Sequence, residues 1–445
     1  MGCGAHADNK SGTMTPQSHF MVVAPLLAGA EAGLRRLLGS MNLNPGMADP
    51  QGAVLPFAQF TQLHFARLVL LDDALQADVT VYGLSQQRLP TYLAFMGDCD
   101  GPARVLLNEL AQRAADGLRR IFQHCQGFAA SDDLLAWMLA HDRPLAARYV
   151  CWVGRSVQQI RQESALQRAL AAQVPRGLPP SGVEAQHIRQ DLRDFVDAEI
   201  HAGALELTPP EPTPLGWQLA QWAHLLGVPL LGLLLLPLLI LLSPWLLYQL
   251  RTLERSDPEI CPRPDPAALQ ELQDLEDFDV SNQYTALGPV KPGRFRRRLV
   301  TLLLVLIDYA CRHIFTRGHL ARVQTIHFAR WAFLDGKTRV VFTSSYDGSH
   351  QGYMDDFINK VAWGLNLVFS NGIGWPRTDW LIFGGARHEQ SFKYYQRRHQ
   401  IPTQVWYKAY PGLTLADLRR NQRIREGLEQ PGMTDAKALA WLRLL

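Results

Sequence analysis

The sequence predicts an α+β protein in which two tandem βαββαβ repeats pack sheet to sheet, with an apolar, membrane-inserting helical segment between them. Three observations carry this. Blocks of sequence recur in the same order in both halves, each half alternates strand and helix patterning, and Leu225–Leu250 is an apolar run without a charge.

In the first half, Phe20–Ala24 is apolar and β-branched, hence a strand, and Gly29–Leu38 has helical spacing. Gln62–Leu71 and Thr91–Met96 read as strands. Asp100-Gly101 then turns the chain into a helix whose Val105, Leu106, Leu110, Leu118 and Phe122 share one face. Arg148–Val153 closes the unit as a strand. In the second half, Gln283–Leu287 is a strand and Arg294–Phe315 an unusually apolar helix. Gln324–Leu334 and Arg339–Ser344 are strands joined at Asp335-Gly336, a hairpin turn. Tyr353–Phe369 is a helix, Gln404–Tyr410 the last strand, and a helix follows from Thr414 to Leu428. The implied organisation is a flexible tail (1–18), a first repeat (19–175), a linker holding the apolar segment (176–282, with 225–250 inside it), a second repeat (283–430) and a C-terminal tail (431–445).

The repeat is explicit in residues. His64-Phe65-Ala66-Arg67 recurs as His327-Phe328-Ala329-Arg330, an offset of 263. Asp100-Gly101 recurs as Asp347-Gly348 at 247, and His141, Pro144, Tyr149 and Arg161 recur as His399, Pro402, Tyr407 and Arg419 at 258. Blocks in one order with small drifts in offset are hard to produce by chance.

The element order is that of the ferredoxin-like split βαβ unit. One such sheet has helices on one face and needs cover on the other, which a second copy supplies. The chain thus resembles the dimeric α+β barrel superfamily in fused form, over residues 20–173 and 283–430. It also resembles dye-decolourising haem peroxidases in one string, Gly97-Asp-Cys-Asp-Gly101, which matches their Gly-x-x-Asp-Gly. The second half departs from it at Ser344. The resemblance implies an aspartate that moves a peroxide proton and makes haem a candidate cofactor. No proximal histidine aligns, and the same Asp-Gly pair also suits a turn that needs a cap and a flexible residue.

No charge falls between Glu211 and Arg251. A bilayer crossing needs about 20 apolar residues. Trp217, Trp222, Trp245 and Tyr248 flank the run as interfacial rings do. Pro229, Pro237 and Pro244 are able to kink it. If the two repeats pack together they share one side of the membrane, so the segment crosses an even number of times or not at all. With no export signal the expected place is the cytoplasmic face, anchored by 225–250. Eight Lys/Arg between the apolar segments agree with that. The run Arg294-Phe-Arg-Arg-Arg298 reads either as a contact for anionic lipid or as a solvated helix turn.

Composition bounds the partners. The chain has 445 residues, 47% apolar and 19% charged, with a net charge of +3, which gives no reason to expect nucleic acid. A mean hydropathy of −0.09 is too low for a polytopic transporter. Six scattered cysteines fit a reducing compartment. There is no dinucleotide fingerprint, phosphate loop, nucleophile elbow or zinc-protease motif.

The candidate catalytic residues are His327, Arg330, Asp347 and Asp100, and the candidate cofactor-binding residues His64, Arg67, Tyr346 and His350, with no metal set. A competing account pairs Arg330 with Asp347 and Arg67 with Asp100 as a buried structural network. The sharper one lines a pocket between the sheets with these groups as acid/base and anion-holding residues. The expected function is a membrane-anchored oxidoreductase, peroxidase-like or monooxygenase-like, acting on an apolar or lipid-derived substrate. The alternative is a non-catalytic protein that binds membrane lipid or tethers a partner.

Overall fold

The computed structural model describes residues 13–72, 76–85, 89–174, 182–316 and 318–445. Most of the tail expected at 1–18 therefore lies outside the described residues. The chain is α+β, as its patterning predicts. Eight main strands are β1 (Gln17–Pro25), β2 (Leu63–Leu71), β3 (Tyr92–Asp100), β4 (Leu145–Val150), β5 (Ser281–Pro289), β6 (Ile326–Leu334), β7 (Arg339–Asp347) and β8 (Thr403–Lys408). The principal helices are α1 (Glu31–Gly39), α2 (Ala103–Arg113), α3 (Ala115–Phe122), α4 (Leu134–His141), α5 (Val157–Gln173), α6 (Gly182–His201), α7 (Leu215–Ser256), α8 (Arg294–His313), α9 (His350–Phe369), α10 (Glu389–His399), α11 (Leu415–Glu429) and α12 (Asp435–Leu442).

The strands form two antiparallel four-stranded sheets, β1-β3-β2-β8 and β4-β6-β7-β5. Each sheet takes three strands from one half of the chain and its last from the other half. This exchange differs from the expectation that Arg148–Val153 closes its own unit. The chain before each exchanged strand still touches its own sheet, through single bridges Val22–Asp142 and Ala286–Gln400. It then crosses. Strand patterning cannot distinguish the two destinations, because β4 presents the same alternating faces to either sheet.

The ladders of the two sheets match residue for residue. Gln17 opposes Asp100 in one, and Ser281 opposes Asp347 in the other. Tyr407 opposes Ala66, and Tyr149 opposes Ala329. Both β2 and β6 carry a register shift at one place, between Leu63 and Phe65 and between Ile326 and Phe328, so His64 and His327 each sit at a bulge.

All nine residues of β2 are buried, since both faces of the sheet are covered. Outward, Phe20, Val22, Leu68, Leu70 and Phe95 meet Leu34, Leu106, Leu110 and Leu118 from the helices. Inward, Met21, Val23, Val69, Ala94 and Met96 meet Leu287, Ala332, Leu334 and Val341 across the gap between sheets. The interlayer is a packed core. The end of the chain is not a tail: α12 buries Ala438, Trp441 and Leu442 against Leu192 and Val196 of α6.

One helix behaves differently. α7 is the one described helix long and apolar enough to cross a membrane, by length and composition. Every residue from Pro229 to Leu242 is exposed. Both its ends are tied to the body. Near its start, Tyr309 of α8 donates to the Leu225 carbonyl at 3.2 Å, and His224 meets His313 at 2.9 Å. Near its end, the buried Glu254 carboxylate accepts from Thr378 Oγ1 at 3.0 Å, Trp380 N at 3.0 Å and Leu381 N at 2.8 Å. The basic run at the start of α8 is partly structural, because buried Arg296 pairs with Asp257 at 2.5 Å.

Candidate functional site

The polar groups singled out from the sequence converge on the interlayer, but in different pairs from those expected. Asp100 and Asp347 end β3 and β7, and both oxygens of each carboxylate are used. Asp100 Oδ1 meets His64 Nε2 at 2.9 Å, while Oδ2 accepts from the backbone N–H of Val157 at 2.8 Å. Asp347 Oδ1 meets His327 Nε2 at 2.6 Å, and Oδ2 accepts from the backbone N–H of Leu415 at 2.7 Å. Ser281 Oγ donates to Asp347 Oδ1 at 3.2 Å. Val157 and Leu415 begin α5 and α11, where a carboxylate satisfies free N–H groups and favours the positive end of the helix. Each aspartate thus pins the chain back to its own sheet after the preceding strand has crossed to the other. The cap role read for Asp-Gly is real but falls on a later helix; Ser349 caps α9.

The arginines do not pair with these aspartates. Both cross the gap between the sheets. Arg67 donates to the carbonyls of Tyr284 and Ser344 at 3.0 and 3.2 Å, to Ser345 Oγ at 2.8 Å and to Thr285 Oγ1 at 3.3 Å. Arg330 donates to the carbonyls of Phe20 and Gly97 at 3.0 and 3.2 Å and to the carboxylate of Asp98. His19 shares Asp98, with Nδ1 at 2.6 Å from Oδ1. Burial drives His19 down from the usual 6.5 to about 4 despite the neighbouring carboxylate, so it stays neutral and donates to Asp98. Burial also pushes the Asp98 carboxyl up, but Arg330 and His19 together hold it below the usual carboxylate range. Arg67, buried without an acid of its own and facing Arg330, falls to about 9.

Tyr346 and His350 lie apart from the histidine–aspartate pairs. Tyr346 stacks on Tyr353 with centroids 3.9 Å apart. His350 opens α9, its Nε2 is buried without a hydrogen bond, and burial lowers its pKa to about 3. Acidic Asp355 and Asp356 pair with Lys393 and Lys360 at the surface.

The peroxidase resemblance asks for an aspartate free to move a proton and room for a macrocycle. Both oxygens of Asp100 and of Asp347 are engaged, and His64 and His327 turn Nε2 toward them. The interlayer around Arg67 and Arg330 is filled by side chains, each arginine being 2% exposed. These residues do not fit haem. Among the described residues, no three His, Cys, Asp or Glu are grouped to hold a metal.

Sequence reasoning missed Asp98 and His19. The signal was there: Ala94, Met96 and Asp98 alternate on the inward face of β3, so an acid stands in an apolar row. It also missed Tyr410, whose hydroxyl lies 3.0 Å from His64 Nδ1. Compared with known proteins, the chain matches no family model, no curated protein and no solved structure.

Proposed function

We propose that this protein is a non-catalytic, membrane-surface protein that binds lipid, with two fused ferredoxin-like repeats forming one body beside the bilayer. The exchanged strands and the matching ladders support the tandem-repeat reading. They also bear on topology. Sheets that share strands cannot lie on opposite sides of a membrane, so a single crossing by α7 would pull β4 away from β6 and β8 away from β2.

The single observation that carries the membrane reading is the bare middle of α7, fixed to the same body at both ends. With both ends held on one body, such a helix enters the bilayer sideways from that body rather than crossing to the far side. Leu225–Leu250 is about 39 Å long at the usual rise per residue. Leucines from Leu230 to Leu242 are 39 to 76% exposed in water. Placed in hydrocarbon, each gains about 1–2 kcal/mol, so roughly ten of them exceed what stable attachment needs. Leu302, Val305 and Leu306 of α8, also exposed, extend the apolar surface. The buried His–Asp pairs, with both oxygens of Asp100 and Asp347 engaged, favour this reading over the oxidoreductase expected from the sequence.

Flotation with phosphatidylcholine vesicles tests it. Wild-type chain should float, and Leu233→Asp with Ile240→Asp should remain unbound with an unchanged melting curve. A maleimide that does not cross bilayers should label exposed Cys261 and a cysteine placed at Ala202 from the same side of sealed vesicles. Labelling from opposite sides would overturn the in-plane helix. A stoichiometric Soret band in purified protein would overturn the non-catalytic reading.

A further inference from the structure

The two halves differ at one rung of their sheets. In β8, Trp406 stands opposite Arg67, stacks on Phe65 at 5.2 Å and covers the guanidinium at 4.7 Å. The matching rung of β4 holds Arg148, opposite Arg330. Directly opposite residues leave a sheet on the same face, and like charges there repel. Arg330 has Asp98 as its counter-charge. The Arg148 guanidinium has no hydrogen bond or ion pair among the described residues. The acid closest to hand, Asp308, is already taken: Oδ1 accepts from the Arg148 backbone N–H at 3.2 Å, and Oδ2 pairs with Arg312 at 2.6 Å.

Where Trp406 plugs one half, the other half opens. Arg148 lines a cleft of about 560 Å³ between β4, the end of α8, α11 and the first turns of α7. Arg312, Arg419 and Glu426 line it too. Glu426 accepts from Gln422 at 2.7 Å. Arg419 lies over the Trp152 ring at 5.8 Å, and Trp217 of α7 lines the same cleft. The volume is that of a small-molecule site. Guanidinium groups suit phosphate, and indole rings suit an alkyl chain.

We infer that this cleft binds an amphiphile with a phosphate head group, the phosphate supplying the counter-charge that Arg148 lacks and Trp152 and Trp217 holding the chain beside α7. The inference deepens the lipid-binding reading and rests on it for the source of the ligand. A free phosphate shares the head-group chemistry but not the chain.

Titration of the full-length protein with dihexanoyl phosphatidic acid, followed by tryptophan fluorescence, tests it. Binding should saturate. Inorganic phosphate and dihexanoyl phosphatidylcholine should each bind at least tenfold more weakly. Arg148→Gln should lose at least tenfold, Arg148→Lys less than that, and Trp217→Ala, on a helix turn outside the sheets, severalfold. Equal binding of inorganic phosphate would refute a lipid ligand. Equal binding of the choline lipid, or by Arg148→Gln, would refute the charge readout. Flotation on neutral vesicles should be unchanged in Arg148→Gln. Failure of wild type to float, with the titration intact, would sink the membrane reading and leave the cleft standing.

Discussion

Arg330 and Arg67 occupy the same rung of the two sheets and reach across the same gap, yet one meets an ion and the other does not. Arg330 finds two carbonyls and the Asp98 carboxylate, with His19 behind it. Arg67 finds two carbonyls, Ser345 and Thr285, and Gln283 stands where His19 does, bonded instead to Thr403 at 2.6 Å. The carbonyl contacts are common to both because they come from the backbone of the opposing sheet. The difference lies in the side chains that share the charge. The carbonyl contacts thus recur in both halves, whereas the counter-charge is present in one half only.

That contrast can be broken in order of size. Asp98→Ala leaves Arg330 buried without its acid and Arg67 without the shared field. Removing one partner of a buried pair costs about 3–5 kcal/mol, and chemical denaturation should read it. Ser345→Ala, at the matching place, removes a hydrogen bond from the Arg67 guanidinium to an uncharged acceptor and should cost about 1.5–3 kcal/mol.

The pH response comes next. His19 binds its proton near 6.5 when unfolded and near 4 when folded, so the unfolded chain holds more protons between those values. Stability should fall as pH drops through that window. His399, lowered to about 4, and His350, lowered to about 3, both by burial first, act in the same sense. His19→Gln, which copies Gln283, should flatten the fall. An unchanged slope would show that His19 is already protonated in the folded protein.

Asp347→Asn and Asp100→Asn should each cost about 1–3 kcal/mol, through a lost helix cap and a weakened bond to histidine. Similar costs in both halves would support the shared structural role. A loss confined to Asp347 would point to a function in the second half. The smallest effect belongs to Ser345→Asp, which offers Arg67 its own acid. Desolvation and attraction nearly offset in a buried pair, so the net change should stay within about 1 kcal/mol.

The sequence by itself was enough, through local spacing, to place the main strands and the helices α1, α2, α8, α9 and α11, because inward and outward rows and apolar faces are written there; α4, α5, α6, α10 and α12 carried no such reading. It also determined the correspondence between the halves: offsets of 263 and 247 reappear as the matched rungs of the two ladders. It marked α7 as a helix long and apolar enough to cross a membrane, by length and composition. Only the tertiary structure decided the partners. A strand's alternation is satisfied by either sheet edge, so the exchange of β4 and β8 was invisible. An arginine's reach exceeds the gap between sheets, so Arg67 and Arg330 answer to backbone carbonyls hundreds of residues away rather than to the aspartates that repeat beside them. Arg148 was invisible for the same reason: a charge becomes conspicuous only when its neighbours in space fail to match it.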